Sequence, residues 1–176
     1  SINSPSTTVF TLPPNFLSSA IFLSIAALDE FSTYSFLIFG NGSEALSSES
    51  SNVNILGYVD NLNEVMNIGD VYFSPLSIGS GVQNKILEAF QHGLYVIGTP
   101  TSFSGIAWLD NLNDKGFISV NINKLSEIKY ILKEYFDDQS RFQESLLENQ
   151  NFIQTRASWG ESVKIMEDFV DGSSTR

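Results

Sequence analysis

Six short apolar runs recur along the chain, and the segments between most of them carry helical spacing. The runs are "TTVFTL" (7–12), "YSFLIFG" (34–40), "VNILGYV" (53–59), "DVYFSPL" (70–76), "LYVIGT" (94–99) and "GFISV" (116–120). Of these, "YSFLIFG" and "LYVIGT" are apolar almost throughout, the pattern of a strand covered on both faces. Between them, "PNFLSSAIFLSIAALDEF" has Pro14 at a helix start, and "NLNEVMNIG" and "GVQNKILEAFQHG" read as further helices. From Asn123 onward the text predicts three more helices, "KLSEIKYILKEYF", "SRFQESLLENQNFIQ" and "SWGESVKIMEDFV". Strands joined by helices through short turns must run parallel, with right-handed crossovers. The expected fold class is α/β, a doubly wound, Rossmann-like parallel sheet of about six strands with helices on both faces. No internal repeat or second boundary is visible, so residues 1–176 are expected to form a single domain with 171–176 as a tail.

Composition agrees with this and excludes several functions. A chain of 176 residues, 42% of them hydrophobic, can bury a substantial core. No apolar run approaches the ~20 residues of a membrane span, and no basic region followed by an apolar stretch opens the chain. The first residue is Ser1 rather than Met, as in an excised or processed piece. With no cysteine there is neither a disulfide framework nor thiolate chemistry, which fits a cytoplasmic protein. The net charge of −11 opposes binding through a phosphate backbone, so nucleic acid is excluded as a partner. Residues 1–84 hold no Lys or Arg, and Lys85 is the first basic residue in the chain.

In an open parallel sheet, ligands sit beyond the carboxyl ends of the strands. The turns there are "GNGSE", "GYVDNLN", "PLSIGSG" and "GTPTSFSG", three of them rich in Gly or Ser. Asn41-Gly42-Ser43 also matches a glycosylation acceptor, but reads better as a polar turn after a strand. "SIGSG" opens directly into a helix, whose first turn offers free N–H groups and a partial positive charge to an anion. On that helix, Val82, Ile86, Ala89 and Phe90 share one side and should pack on the sheet. Lys85, Glu88 and His92 form a stripe beside them. The stripe reads either as a solvated ion pair with an incidental histidine, or as a carboxylate accepting a sugar diol with Lys85 near a phosphate. Spacing alone leaves both open.

Other constellations carry little. A single histidine excludes a multi-histidine metal site, and the acid pairs Asp29-Glu30 and Asp137-Asp138 read as solvated helix ends. Asp70, before a strand, suits local hydrogen bonding. The loop holding Asp110 and Asp114 lacks the mid-loop glycine and closing glutamate of a calcium loop, and Ser104 lacks a nucleophile elbow.

The segment from about Val53 to Gly105 resembles the nucleotide-sugar-binding half of GT-B fold glycosyltransferases, family 4 (glycosyl transferases group 1) in particular. The similar texts are "FLIFGNG", "VNILGYVDNLNEVMNIGDVYFSP" and "GVQNKILEAFQHGLYVIGT", with "PN" at Pro14-Asn15 and "SW" at Ser158-Trp159. The resemblance implies that Glu88 binds the ribose hydroxyls of a nucleoside diphosphate sugar and that the amides of Gly79, Ser80 and Gly81 face the diphosphate. It also implies that the backbone around Tyr58 and Val59 lies against the base. Ser80 stands eight positions before Glu88, where the family usually has a second glutamate. A branch with a "GxGxxxKxLEA" text, which the chain resembles more, lacks that glutamate too. The Arg and Lys that commonly neutralise the leaving diphosphate have no counterpart, which leaves Lys85 as the catalytic candidate. The implied reaction transfers the sugar, with retention and without a metal or other cofactor, to an unknown acceptor. The implied partner is an N-terminal acceptor domain or subunit, through which any peripheral membrane attachment would come; alone, this chain should bind and hardly turn over. The alternative is a non-catalytic sugar-nucleotide-binding or regulatory domain.

Overall fold

A computed structural model describes residues 7–11, 16–77, 83–106 and 108–156. Six strands, β1 (Thr7–Thr11), β2 (Ser35–Phe39), β3 (Val53–Gly57), β4 (Val71–Ser74), β5 (Tyr95–Gly98) and β6 (Phe117–Ser119), form one sheet in the order β3-β2-β1-β4-β5-β6. Every neighbouring pair is parallel. The order reverses between β1 and β4, so the switch point lies at the carboxyl ends of those two strands. The helices are α1 (Phe16–Ala26), α2 (Leu62–Met66), α3 (Asn84–Gln91), α4 (Pro100–Phe103), α5 (Leu125–Asp137) and α6 (Gln143–Arg156).

Strand side chains alternate between two cores, as the period of two requires. Phe36, Ile38, Val71, Phe73, Tyr95 and Ile97 point to one core, where α1 contributes Phe22 and Ile25 and α5 contributes Ile128, Ile131 and Leu132. Leu37, Phe39, Tyr72 and Val96 point to the other, against Val65 and Met66 of α2, Ile86, Ala89 and Phe90 of α3, and Ile153 of α6. Both faces are therefore buried, which is why β2, β4 and β5 read as continuous apolar runs. Aromatic contacts knit the first core, with Tyr95 and Tyr135 stacked at 4.8 Å.

The C-terminal half adds braces. Gln150 Nε2 of α6 donates to Gln91 O at the end of α3 (2.8 Å). Asn149, 1% exposed, accepts from Asn113 N–H (2.6 Å) and donates to Asn113 O (3.0 Å), fixing the loop before β6. The predicted helix over "SWGESVKIMEDFV", the tail 171–176, Pro14-Asn15, Val82 and Ser158-Trp159 lie outside the described residues. Among the described residues, no helix is long and apolar enough to cross a membrane.

Candidate functional site

The carboxyl ends of β2 and β3 meet through backbone. Gly40 N–H donates to Gly57 O (2.8 Å), and Gly57 sits at φ +69°, in the left-handed region that glycine enters without strain. That turn presents Tyr58 outward, 69% exposed, while Val59 is half-buried against the core of α2 and α3.

Helix α3 follows β4 at the switch point. Its N-cap residue, Gln83, makes no side-chain capping bond to the N–H groups of the first turn. Ile86, Ala89 and Phe90 are buried, as the helical spacing requires. Lys85 is exposed and Glu88 half-buried at its edge. Among the described residues, Glu88 Oε2 is buried without a hydrogen-bond partner. Burial of this carboxyl raises its pKa above the ordinary 4.5, and the Lys85 ammonium offsets part of that rise. A carboxylate oxygen withdrawn from water and left without a donor is costly to a fold and suited to a ligand hydroxyl.

His92, the third residue of the stripe, reaches α2. Its ring nitrogens lie 2.9 Å from Asn67 Oδ1 and 3.0 Å from Asn63 Oδ1, both on or beside α2. Burial lowers its pKa below 6.5. The imidazole is thus engaged between the two helices rather than incidental to the fold. The physical reason is that α2 packs alongside the C-terminal end of α3, an arrangement that a wheel of one helix does not contain.

The "GTPTSFSG" turn also differs from an open ligand turn. Thr99 is the N-cap of α4, with Pro100 at the first helical position and Ser102 completing a capping box. Ser102 Oγ donates to Ser74 O (2.5 Å) and accepts from Thr99 N–H (3.3 Å). Thr99 Oγ1 donates to Leu76 O and accepts from Ser102 N–H (3.2 Å). Both hydroxyl protons are thereby used, and both residues are buried. The pair takes up carbonyls that β4 leaves behind as the chain departs toward α3. The Thr-Pro-x-Ser text carried that signal.

The acid pairs and the acidic loop can now be placed. Glu30 pairs with Lys129 (2.5 Å) and Asp137 with Lys133 (3.0 Å). Asp110 and Asp114 line a cavity of about 590 Å³ with Leu109, Leu112, Asn113 and Phe117. It lies by the amino end of β6, away from the switch point, and its carboxylates would repel a phosphate. Among the described residues, no group of three or more carboxylate or imidazole side chains comes together to hold a metal ion. Of the sequence-predicted site residues, the structure places Tyr58 and Val59 in the turn after the carboxyl end of β3, and Lys85 and Glu88 on α3, which follows β4. Gly79, Ser80 and Gly81 lie outside the described residues.

A parallel sheet with this strand order and this switch point defines a Rossmann-type α/β fold. The glycosyl transferases group 1 family matches residues 15–128, more than half of the chain, and the chain belongs to that family. No curated protein sequence matches it. Among solved structures, it is similar to a glycosyltransferase from Rickettsia africae (TM-score 0.78, 11% identity, 99% of this chain and 49% of that one). It is similar also to Anabaena HepE in complex with UDP (TM-score 0.72, 12% identity, 98% and 50%). A third is the C-terminal domain of LpcC from Francisella tularensis (TM-score 0.62, 13% identity, 88% and 87%). The similar structures are GT-B glycosyltransferases, and the chain corresponds to their C-terminal-like portion. It spans about half the length of the first two.

Proposed function

We propose that this chain is the donor-binding domain of a glycosyltransferase, holding a nucleoside diphosphate sugar at the carboxyl side of the sheet. The carrying observation is Glu88, whose buried Oε2 has no donor among the described residues and whose neighbour is Lys85, the first cation of the chain. In this reading the carboxylate accepts both ribose hydroxyls, as a double acceptor suits a diol. The backbone of Tyr58 and Val59 bears on the base, and the amides of Gly79, Ser80 and Gly81 face the diphosphate. Family membership and the UDP complex of HepE support a uridine nucleotide as the first ligand to test.

During transfer, the bond from the sugar's anomeric carbon to the diphosphate oxygen breaks, and negative charge gathers on the leaving group. In this reading Lys85 meets that charge, a contribution worth ~3 kcal/mol for a single well-aimed donor. Retention of configuration, independence from metal and a partner acceptor domain complete the proposal, with a cytoplasmic location. One observation favours a second reading, a non-catalytic nucleotide-binding domain: no basic residue precedes Lys85 to share the leaving-group charge.

Calorimetric titration of a panel of nucleoside diphosphates, UDP first, tests the proposal on the parent chain and on Glu88→Ala. The expected loss in the variant is ~1.5–3 kcal/mol of binding, the worth of a charged hydrogen-bond partner, with the fold intact. Equal affinity in the two proteins would remove the ribose role.

A further inference from the structure

Helix α2 has five residues, Leu62–Met66, and no side-chain cap at Asn61. So short a helix does not sustain itself and takes its place from tertiary contacts. Val65 and Met66 anchor it by burial. A polar link to α3 comes from His92, the residue that closes that helix. Its Nδ1 lies 2.9 Å from Asn67 Oδ1 and its Nε2 3.0 Å from Asn63 Oδ1. Asn63 and Asn67 are four residues apart, so they share one face of α2, and the ring spans both. An imidazolium satisfies this pattern by donating twice; the neutral ring satisfies it once one carboxamide turns its Nδ2 inward.

The link joins the two parts of the candidate site that the described residues include. Tyr58 and Val59 run directly into α2, while Lys85 and Glu88 stand on α3. His92 is one turn beyond Glu88, and its N–H donates to Glu88 O (3.1 Å). We infer that His92 is a positioning residue: by holding α2 against α3 it fixes the spacing between the Tyr58–Val59 turn and the Glu88 carboxylate. The inference rests on the donor-binding reading above. A nucleoside there reaches both, base on the turn and ribose on the carboxylate, so slack between the helices lowers its affinity without exposing either core.

The test uses UDP, titrated by calorimetry into the 176-residue chain well below its melting temperature. His92→Phe keeps a ring of similar size and removes both hydrogen bonds. Asn63→Ala with Asn67→Ala removes the same bonds from the α2 side, at exposed positions where alanine favours a helix. Each is expected to weaken UDP roughly three- to tenfold, the span of one to two lost hydrogen bonds, with melting temperatures near that of the parent. Because both changes cut one link, the triple variant should lose no more than either alone. Parental affinity in either variant, or losses that multiply in the triple variant, would overturn the role of His92 and leave the donor reading standing. A parent chain that binds no UDP would overturn the donor reading itself, and this inference with it. Should His92→Phe fail to fold, the Asn63/Asn67 variant decides alone.

Discussion

Helices α3 and α5 are built alike on their buried sides and differently on their polar ones. α3 sets Ile86, Ala89 and Phe90 into the core on one face of the sheet, and α5 sets Ile128, Ile131, Leu132 and Tyr135 into the core on the other. On α5 the charges are matched: Lys129 meets Glu30 at 2.5 Å and Lys133 meets Asp137 at 3.0 Å. On α3, Lys85 makes no ion pair within 4.0 Å among the described residues, and Glu88 keeps a buried oxygen without a donor. The apolar sides of the two helices specify the same kind of packing. The polar sides separate a helix whose charges are matched within the fold from one whose charges, in the donor-binding reading proposed above, a ligand completes.

The equivalence of the buried sides is open to the largest effect. Ile86 and Ile128 are both 0% exposed. Ile86→Ala and Ile128→Ala should each cost ~2–5 kcal/mol of stability, through lost transfer energy and the cavity left behind. Denaturant midpoints check this, and a loss at only one helix would show that the other is not held by its core contacts.

The polar sides should respond in opposite ways. Lys85→Ala is expected to leave the melting temperature unchanged and to weaken UDP about tenfold, as the loss of a charge-assisted contact would. Lys129→Ala removes the ion pair with Glu30, whose partners are 41% and 39% exposed, and should cost less than ~1 kcal/mol of stability with UDP affinity unchanged. If Lys129→Ala weakened UDP as much as Lys85→Ala did, the separation between the two helices would collapse.

Much of this contrast was legible in the sequence. Short apolar runs identified all six strands, helical spacing identified α5, and a period of about 3.6 identified the apolar face of α3, because those patterns follow from local geometry. Lys85 and Glu88 were legible as a pair beside the core face of α3 for the same reason. The partners of His92 were not legible, because Asn67 and Asn63 lie 25 and 29 residues earlier and only the packing of α2 on α3 brings them together. The Thr99–Ser102 network lay in plain text as a capping box, yet its distant acceptors, Ser74 O and Leu76 O, depend on β4 and β5 being neighbours. The missing partner of Glu88 Oε2 could not be read at all, since an unmade bond leaves no pattern in a sequence.

Glu88→Gln, followed by thermal melts and UDP titration across pH, tests most directly whether that oxygen is kept for a ligand. Burial raises the Glu88 pKa above 4.5, so its contribution to stability is fully present below pH 4.5 and is lost as pH rises through the folded value. The neutral amide removes that loss. The variant should therefore melt at or above the parental temperature at pH 7, with a flatter pH dependence above 4.5, while binding UDP at least about tenfold more weakly. A melting temperature below the parent's, together with unchanged UDP affinity, would make Glu88 a structural partner and contradict the account.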